Sequence, residues 1–286
     1  MNNKKLAVLF FMVFFISSPV SAAGLALPQV LEACASIFLS EQDGLWEKTL
    51  IVRFPERRRL LSTCDGLMDA MAAANHAAHP LLWQYVDKAM KTAREPGAIA
   101  YMRKMREKTA RACGLRGQDI SIMGTAADMD NLAVVTKQFA PFVVTALVTA
   151  GAKSNAIRTG VDEGVNIEPD PAVDNPPATE DPKPGTINIL LLTNARLTDG
   201  ALARAVITAT EAKTAALEDL RVPSTYTANV QATGTGTDSM IVVSGTSGPL
   251  VTYSGGHSRI GELMGKAVHE AVMEALIKQN GFKNPR

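Results

Sequence analysis

The sequence predicts an α+β fold: a single domain with a mixed β-sheet covered by helices, preceded by a signal peptide. Three observations predict it. Short apolar runs of strand type, as at 142–148, 186–192 and 240–243, are interleaved with long helical patterns, as at 201–220 and 259–278. Such interleaving gives a sheet with helices packed on it. Aromatic residues make up only 5% of the chain, while Ala, Val and Thr are abundant. That composition suits packed layers better than a lectin-like all-β domain.

At the N-terminus, Lys4 and Lys5 precede an unbroken apolar run over 6–16, and Val20-Ser21-Ala22 supplies small residues for cleavage. This is the pattern of a secretory signal peptide, and it is set aside from fold reasoning. The run is shorter than the roughly 20 apolar residues a spanning helix needs. Residues 1–22 are therefore expected to be removed and the protein to be secreted, into a periplasm. The expected domain is 23–286. Leu31-Glu32-Ala33-Cys34 is a poor lipobox, because Glu32 is out of place and Cys34 lies well past the apolar run.

Within that domain, 28–39 is expected to be an apolar helix. Residues 50–52 and 59–62 are expected as two strands, broken by Pro55 and by a solvated basic turn, Arg57, Arg58 and Arg59. Residues 70–112 have Met and Ala recurring at three and four, a helical period. A short strand is expected at 120–126, and a strand buried on both faces at 142–148, ending in Thr149-Ala150-Gly151. Residues 162–185 are acidic and Pro-rich, an exposed loop within the one domain. Then come a buried strand at 186–192, a helix at 201–220 capped by Thr198, and strands at 240–243 and 250–254. Ser258 caps a last helix at 259–278, where Ile260, Met264, Ala267, Ala271 and Ala275 form an apolar stripe. Gly281 is its stop.

Lys and Arg number 29 against 28 Asp and Glu. With charge so nearly balanced, a polyanionic partner such as nucleic acid is not expected. No further segment is long and apolar enough to span a membrane. Cys34, Cys64 and Cys113 permit at most one disulfide. No His, Cys or Glu spacing suggests a metal site.

Chemistry concentrates in a few places. In Ala232-Thr233-Gly234-Thr235-Gly236-Thr237-Asp238, glycines alternate with hydroxyls just before a strand. Gly234 and Gly236 open the backbone to a ligand, Thr235 adds a donor, and Asp238 stands at the strand mouth as a base. This is not a P-loop, since a strand and not a helix follows. In Gly255-Gly256-His257-Ser258, a double glycine enters a helix N-terminus, where backbone N–H groups favour negative charge. His257 and Glu262 stand at that mouth. Lys213 falls among Val206, Ala209 and Leu217 on an apolar helical face. A lysine there either snorkels to the edge or faces a pocket. Asn155 follows one strand and Asn188 lies within another; buried amides carry hydrogen-bonding duties, most often to backbone.

Taken together, these strings resemble the adenosylcobinamide amidohydrolase family. The resemblance runs in order through residues 59–63, Thr125-Ala126-Ala127, Thr149-Ala150-Gly151, Asn155-Ala156, Gly185-Thr186-Ile187-Asn188, residues 210–217, residues 232–238, and Gly256-His257 with Gly261-Glu262. It covers the chain from about residue 50 onward. Residues 162–185 and the N-terminal segment look like additions. The resemblance implies hydrolysis of the amide between the corrin propionate and aminopropanol in adenosylcobinamide, giving adenosylcobyric acid for corrinoid salvage. It implies a corrinoid small molecule as partner and no cofactor beyond the cobalt the substrate carries. On the residues alone, the expected mechanism is direct attack by water. Asp238 or Glu262 is the base, His257 the acid, and Thr235 with nearby N–H groups receives the oxyanion. Lys213, Asn155, Gly234, Gly236 and Ser258 bind or position substrate. The expected site is where the Gly-Thr loop meets the last helix's N-terminus. Two alternatives remain: an exported corrinoid-binding protein feeding an import system, and an amidohydrolase for a complete cobamide.

Overall fold

The computed structural model of the chain describes residues 21–90, 95–164 and 185–283. Residues 1–20 of the expected signal peptide, and 165–184 of the Pro-rich stretch, lie outside the described residues.

The architecture turns on one long strand. β1 (Ser21–Leu25) and β2 (Cys34–Gln42) lead into β3 (Leu45–Ser62), which has 18 residues. β4 (Gly66–Ala78) returns antiparallel along its whole length. The first half of β3 pairs on its other edge with β2, and its last residues pair with β10 (Ser239–Val243). Between Arg53 and Arg58 the register with β4 slips. Pro55, which has no N–H to donate, stands in this bulge. A bulge bends its strand and raises the local twist. One sheet is thereby curled into two facing leaves. The first runs β1, β2, β3, β4 and β5 (Ile120–Thr125). The second runs from the end of β3 through β10, β8 (Ile187–Thr193), β7 (Phe142–Ala150) and β6 (Ala133–Phe139). β10 is parallel to β8, β5 is parallel to β4, and the other pairs are antiparallel.

Alternate residues then serve two cores. Leu50, Val52 and Leu60 of β3 meet Leu190, Leu192, Ile241 and Val243 between the leaves. Ile189 and Leu191 of β8 face outward under α3 (Asp199–Asp219) and α4 (Arg259–Asn280). On the first leaf, Ile51, Ala72, Ala74, Ile120 and Ile122 face outward and pack with Ala110 of α2 (Gly97–Ala112). α1 (Pro80–Met90) packs beside α2 through Leu82, Val86, Tyr101 and Met105. A two-stranded sheet of β9 (Arg196–Leu197) and β11 (Leu250–Val251) lies apart. The result is one mixed α+β domain, with helices on both outer faces of the curled sheet.

Four expectations are corrected. Residues 28–39 are not a helix: after one short turn at Gln29–Leu31 they form β2, whose pairing with β3 decides the matter. The two strands around Pro55 are one strand with a bulge. Its basic residues do not form a solvated turn. Arg58 is buried against Phe54 with Glu32 as counter-ion, Arg57 pairs with Asp119, and Arg59 pairs with Asp199. The helical reading of 70–112 fails over its first part, which is β4. There Ala72 and Ala74 face α2 and Ala73 and Ala77 face the second leaf. Small side chains let both neighbours approach, and that packing overrides the helix propensity of alanine. Finally, β6 has no counterpart among the expected elements.

A buried polar chain fastens α2 to the first leaf. Thr49 Oγ1 and His76 Nδ1 lie 2.8 Å apart, His76 Nε2 and Tyr101 Oη 2.9 Å, and Tyr101 Oη donates to Glu47 at 2.7 Å. Glu47, fully buried, also accepts from Ser40 and Lys108. With Tyr101 donating to Glu47, Nε2 of His76 carries the proton and Nδ1 accepts from Thr49. Burial pushes His76 down to about 4. Burial works to raise Glu47, yet the bonds from Lys108 and Tyr101 hold it below its ordinary value. Between pH 6.5 and about 4 the unfolded chain therefore binds a proton at His76 that the native state refuses. Stability is lost as pH falls through that window, by on the order of 3 kcal/mol. Glu47 acts in the same direction at lower pH. The melting temperature should fall steadily from pH 7 to pH 4.5, and His76→Gln should flatten that slope. An unchanged slope in a folded H76Q variant would refute the assignment.

Candidate active site

Helix α3 begins at Thr198, whose side chain accepts from the Ala201 amide at 3.2 Å. Its inner face carries Ala205, Ala209, Ala216 and Leu217 into the outer core. Lys213 lies on that same face and is only 7% exposed, so it does not snorkel to solvent. Its ammonium is ion-paired with Asp238. Taking an ion out of water costs several kcal/mol unless a partner compensates. Each group here is the other's compensation.

Asp238 stands one residue before β10, and its neighbours come from two other segments. Oδ1 accepts from Thr235 Oγ1 at 2.5 Å, from the Thr235 amide at 3.3 Å, and from the Ile187 amide at 3.2 Å. Oδ2 faces Lys213 and the Thr235 amide. The parallel pairing of Ser239 with Asn188 brings Ile187 to this position. The Gly-Thr loop is fixed further by Thr186 Oγ1, which donates to the Thr237 carbonyl at 2.7 Å. Thr237 Oγ1 donates to the Gly185 carbonyl at 3.0 Å. Gly236 turns the loop with φ of 76°. At Gly234 a side chain would collide with both Asp238 Oδ2 and Lys213 Nζ. The glycine is there because the ion pair occupies its side-chain space. Asn155, 3% exposed, donates through Nδ2 to the carbonyls of Gly185 and Thr235.

Two cavities flank this cluster. A cavity of about 50 Å³ is lined by Thr63, Thr210, Lys213, Asp238, Ser239 and Met240. A larger one of about 160 Å³ is lined by residues that include Ala126, Ala127, Gly151, Gly185, Gln279 and Asn280. Nearby, Asn188 Nδ2 donates to Asn75 Oδ1 at 2.8 Å and to the Gly124 carbonyl at 3.0 Å, and Asn75 donates to Thr149 at 2.8 Å. These amides pin the two leaves together behind the site. Asn188 thus serves a side chain as well as backbone.

Of the residues expected to act, Asp238, Lys213, Thr235, Gly234, Gly236 and Asn155 are brought together. His257, Ser258 and Glu262 are not among them. The C-terminus of α4 lies at the cluster's end of the sheet: Asn280 Oδ1 accepts from the Ala152 amide, and Gln279 Oε1 from the Asp128 amide. The N-terminus lies beyond the other end of a 22-residue helix, about 33 Å long. There Ser258 accepts from the Gly261 amide, and the neighbouring Ser254 bonds to the first turn of α3. Glu262 is held by Arg259 and Lys266, whose hydrogen bonds and charge lower its pKa. His257 is exposed. The Gly-Thr loop therefore meets the end of the last helix and not its start. Gly185, Thr186 and the Ile187 amide were not anticipated as parts of the site. The glycine heading a buried strand was their signal.

All three cysteines are free thiols; Cys34 and Cys64 are exposed and Cys113 is buried. Among the described residues no group of three or more His, Cys, Asp or Glu could hold a metal ion, and no helix is long and apolar enough to cross a membrane.

Known proteins resemble this chain in sequence and, more weakly, in shape. The sequence model described as adenosylcobinamide amidohydrolase matches residues 35–284. An uncharacterized protein of Methanocaldococcus jannaschii is 43% identical over 249 residues, which is 85% of this chain and 92% of that one. A solved structure, the PH0078 protein of Pyrococcus horikoshii OT3, aligns over 81% of this chain and 78% of its own at 12% identity, with a TM-score of 0.39.

The packing of the ion pair against Gly234 is testable by itself. Gly234→Ala should destabilise the protein by about 1–3 kcal/mol, as overpacking does. Gly256→Ala, where an added Cβ has nothing within 4 Å, should change stability by less than about 0.5 kcal/mol. Equal denaturation midpoints for the two variants would contradict the geometry.

Proposed function

Because the chain belongs to the adenosylcobinamide amidohydrolase family, we propose that it hydrolyses the amide between the corrin propionate and aminopropanol in adenosylcobinamide, and that Asp238 and Lys213 carry the reaction. The observation that supports this most is the ion pair of buried Lys213 with half-buried Asp238, set at a strand mouth where both line a cavity of about 50 Å³. Both cavities are too small for a corrin ring, so the ring stays outside and only the amide arm enters.

The pair suits amide hydrolysis in a balanced way. Water attacks the carbonyl carbon and gives its proton to the Asp238 carboxylate. The Lys213 ammonium faces the developing oxyanion and then protonates the departing nitrogen as the C–N bond breaks. The proton now on Asp238 returns to Lys213 across their contact, and the pair is restored. Thr235, bonding Asp238 through both its hydroxyl and its amide, keeps the carboxylate in place. Lys213 takes the acid's role here, because His257 stands at the far end of α4. Preorganised charge of this kind is the usual major contributor to catalysis.

A second reading is a corrinoid-binding protein that does not hydrolyse its ligand. The occupancy of Asp238 favours it: both oxygens already accept from Lys213, Thr235 or Ile187. Incubating the protein with adenosylcobinamide and analysing by mass spectrometry separates the two. Formation of adenosylcobyric acid supports the hydrolase, and tight binding without product supports the carrier. Asp238→Asn and Lys213→Met should each lower turnover at least about a hundredfold, as loss of an acid–base group usually does. Near-normal rates in both folded variants would sink the assignment.

Export is part of the same proposal, carried by Lys4, Lys5, the apolar run and Val20-Ser21-Ala22. Cleavage after Ala22 leaves Ala23–Leu25 of β1 paired with β2, opposite Ile37, Ser36 and Ala35. The exported protein should be found in the periplasmic fraction with Ala23 at its N-terminus. Recovery only from the cytosol, starting at Met1, would overturn this.

A further inference from the structure

The cavity of about 50 Å³ is the one whose wall holds both Lys213 and Asp238, so an amide that meets the pair comes in there. Its mouth has two banks. One is α3, where Val206 and Thr210 line the cavity and Ile207, between them, is 50% exposed. The other is the turn from β3 to β4. Thr63 of that turn lines the cavity, and Cys64 Sγ lies 3.7 Å from Oγ of Ser239, a further lining residue. Leu61, two residues before Thr63, packs against the outer core, as Val206 does. Leu67 pairs with Leu61 across the hairpin and is 40% exposed. Residues directly opposite in a sheet share a face, so Leu67 stands on the α3 side. Isolated exposed apolar residues need no explanation, whereas apolar side chains grouped around a polar cavity suit a binding groove.

We propose that the corrin ring of the substrate rests across these two banks, with Leu67 and Ile207 against it and Cys64 beneath its edge. The inference rests on the hydrolase reading above and adds where the ring lies. The tether decides it. Two methylenes separate the amide carbonyl from the ring, so three C–C bonds of about 1.5 Å hold the reacting carbon within about 4–5 Å of the ring edge. A ring that stays outside is therefore pressed against the rim of whichever cavity its arm enters, and Lys213 and Asp238 fix that cavity. The chemistry of the rim agrees. A corrin has a broad apolar face and an edge that carries amide side chains. Leu67 and Ile207 offer exposed apolar area to the face. Thr63 and Thr210, both exposed, offer hydroxyls to the amides.

Two exposed free thiols give the test its own control. Cys64 stands at the rim, whereas Cys34 pairs opposite Arg53, on the far side of the β3 bulge. The purified protein is alkylated with iodoacetamide, with and without adenosylcobinamide, and the rate at each cysteine is read by peptide mass spectrometry. Binding is measured by equilibrium dialysis and hydrolysis by release of the acid. With the corrinoid held at about ten times its Kd, mass action leaves about a tenth of the protein free. Cys64 should then react about tenfold more slowly, and Cys34 at its former rate. Leu67→Asp and Ile207→Asp replace exposed side chains, so both variants should keep their melting temperature. Each should bind adenosylcobinamide at least about tenfold more weakly, the least that burying a Leu or Ile side chain contributes. Where hydrolysis occurs the loss should fall on KM with kcat nearly unchanged, because the ring is held alike in the ground and transition states. Binding that leaves Cys64 fully reactive would overturn this inference, and product formed in that case leaves the hydrolase reading intact. Protection of Cys64 without product would support the ring surface and replace the hydrolase by the carrier. No binding and no product would defeat both.

Discussion

The bend in β3 is the constraint on which the rest of the structure depends. A single strand that is hydrogen-bonded into both leaves must change direction within its length, and the slip between Arg53 and Arg58 is where it does so. Every inner contact follows from that bend. Leu50 and Val52 reach one end of the space between the leaves and Leu60 the other, against Leu190, Leu192 and Ile241. The charges near the bulge are settled there too. Arg58 is accepted into the interior because Phe54 covers its guanidinium and Glu32 faces it. Burial nonetheless holds the pKa of Arg58 below its ordinary value.

The facing leaves require polar ties as well as apolar filling. The amides of Asn75 and Asn188 with Thr149 join β4, β8 and β7 across the gap. Apolar contacts alone fix distance but leave register free, whereas directional hydrogen bonds specify one arrangement. This tie lies one residue from Ile187, whose amide holds Asp238. The same strand that fastens the leaves therefore positions the carboxylate. Lys213 arrives from the opposite side, on a helix whose inner face is otherwise Ala and Leu. The ion pair is thus held by two elements that are themselves buried, which gives it the rigidity that catalytic constellations need.

The strings that mark the family are scattered from the end of β3 to the first turn of α4, yet most of them converge. Ala126, Ala127, Gly151 and Gly185 line one cavity, and Lys213 and Asp238 line the other. Small residues dominate because backbone must come close to backbone there, and at Gly234 and Gly185 the space of a side chain is already taken. The string around His257 belongs to the other end of the sheet. Its Gly261 serves the packing of the α4 N-terminus, since a Cβ there would meet the Gly255 and Ser254 carbonyls.

The sequence by itself determined much of the second leaf. β7, β8, β10, α3 and α4 were legible because each carries its own local signal: a β-branched apolar run, a Thr198 or Ser258 cap, or a Gly281 stop. It also singled out Lys213 and Asp238, since a cation on an apolar face and a carboxylate after a Gly-Thr loop are exceptions to local rules. Only the tertiary structure decided that Ala72, Ala73 and Ala74 form a strand, because alanine favours a helix until neighbours press on both of its faces. Only it decided that Lys213 meets Asp238 while His257 does not. Which end of a helix lies over which end of a strand depends on chain direction in space, and no residue pattern along the sequence carries that information.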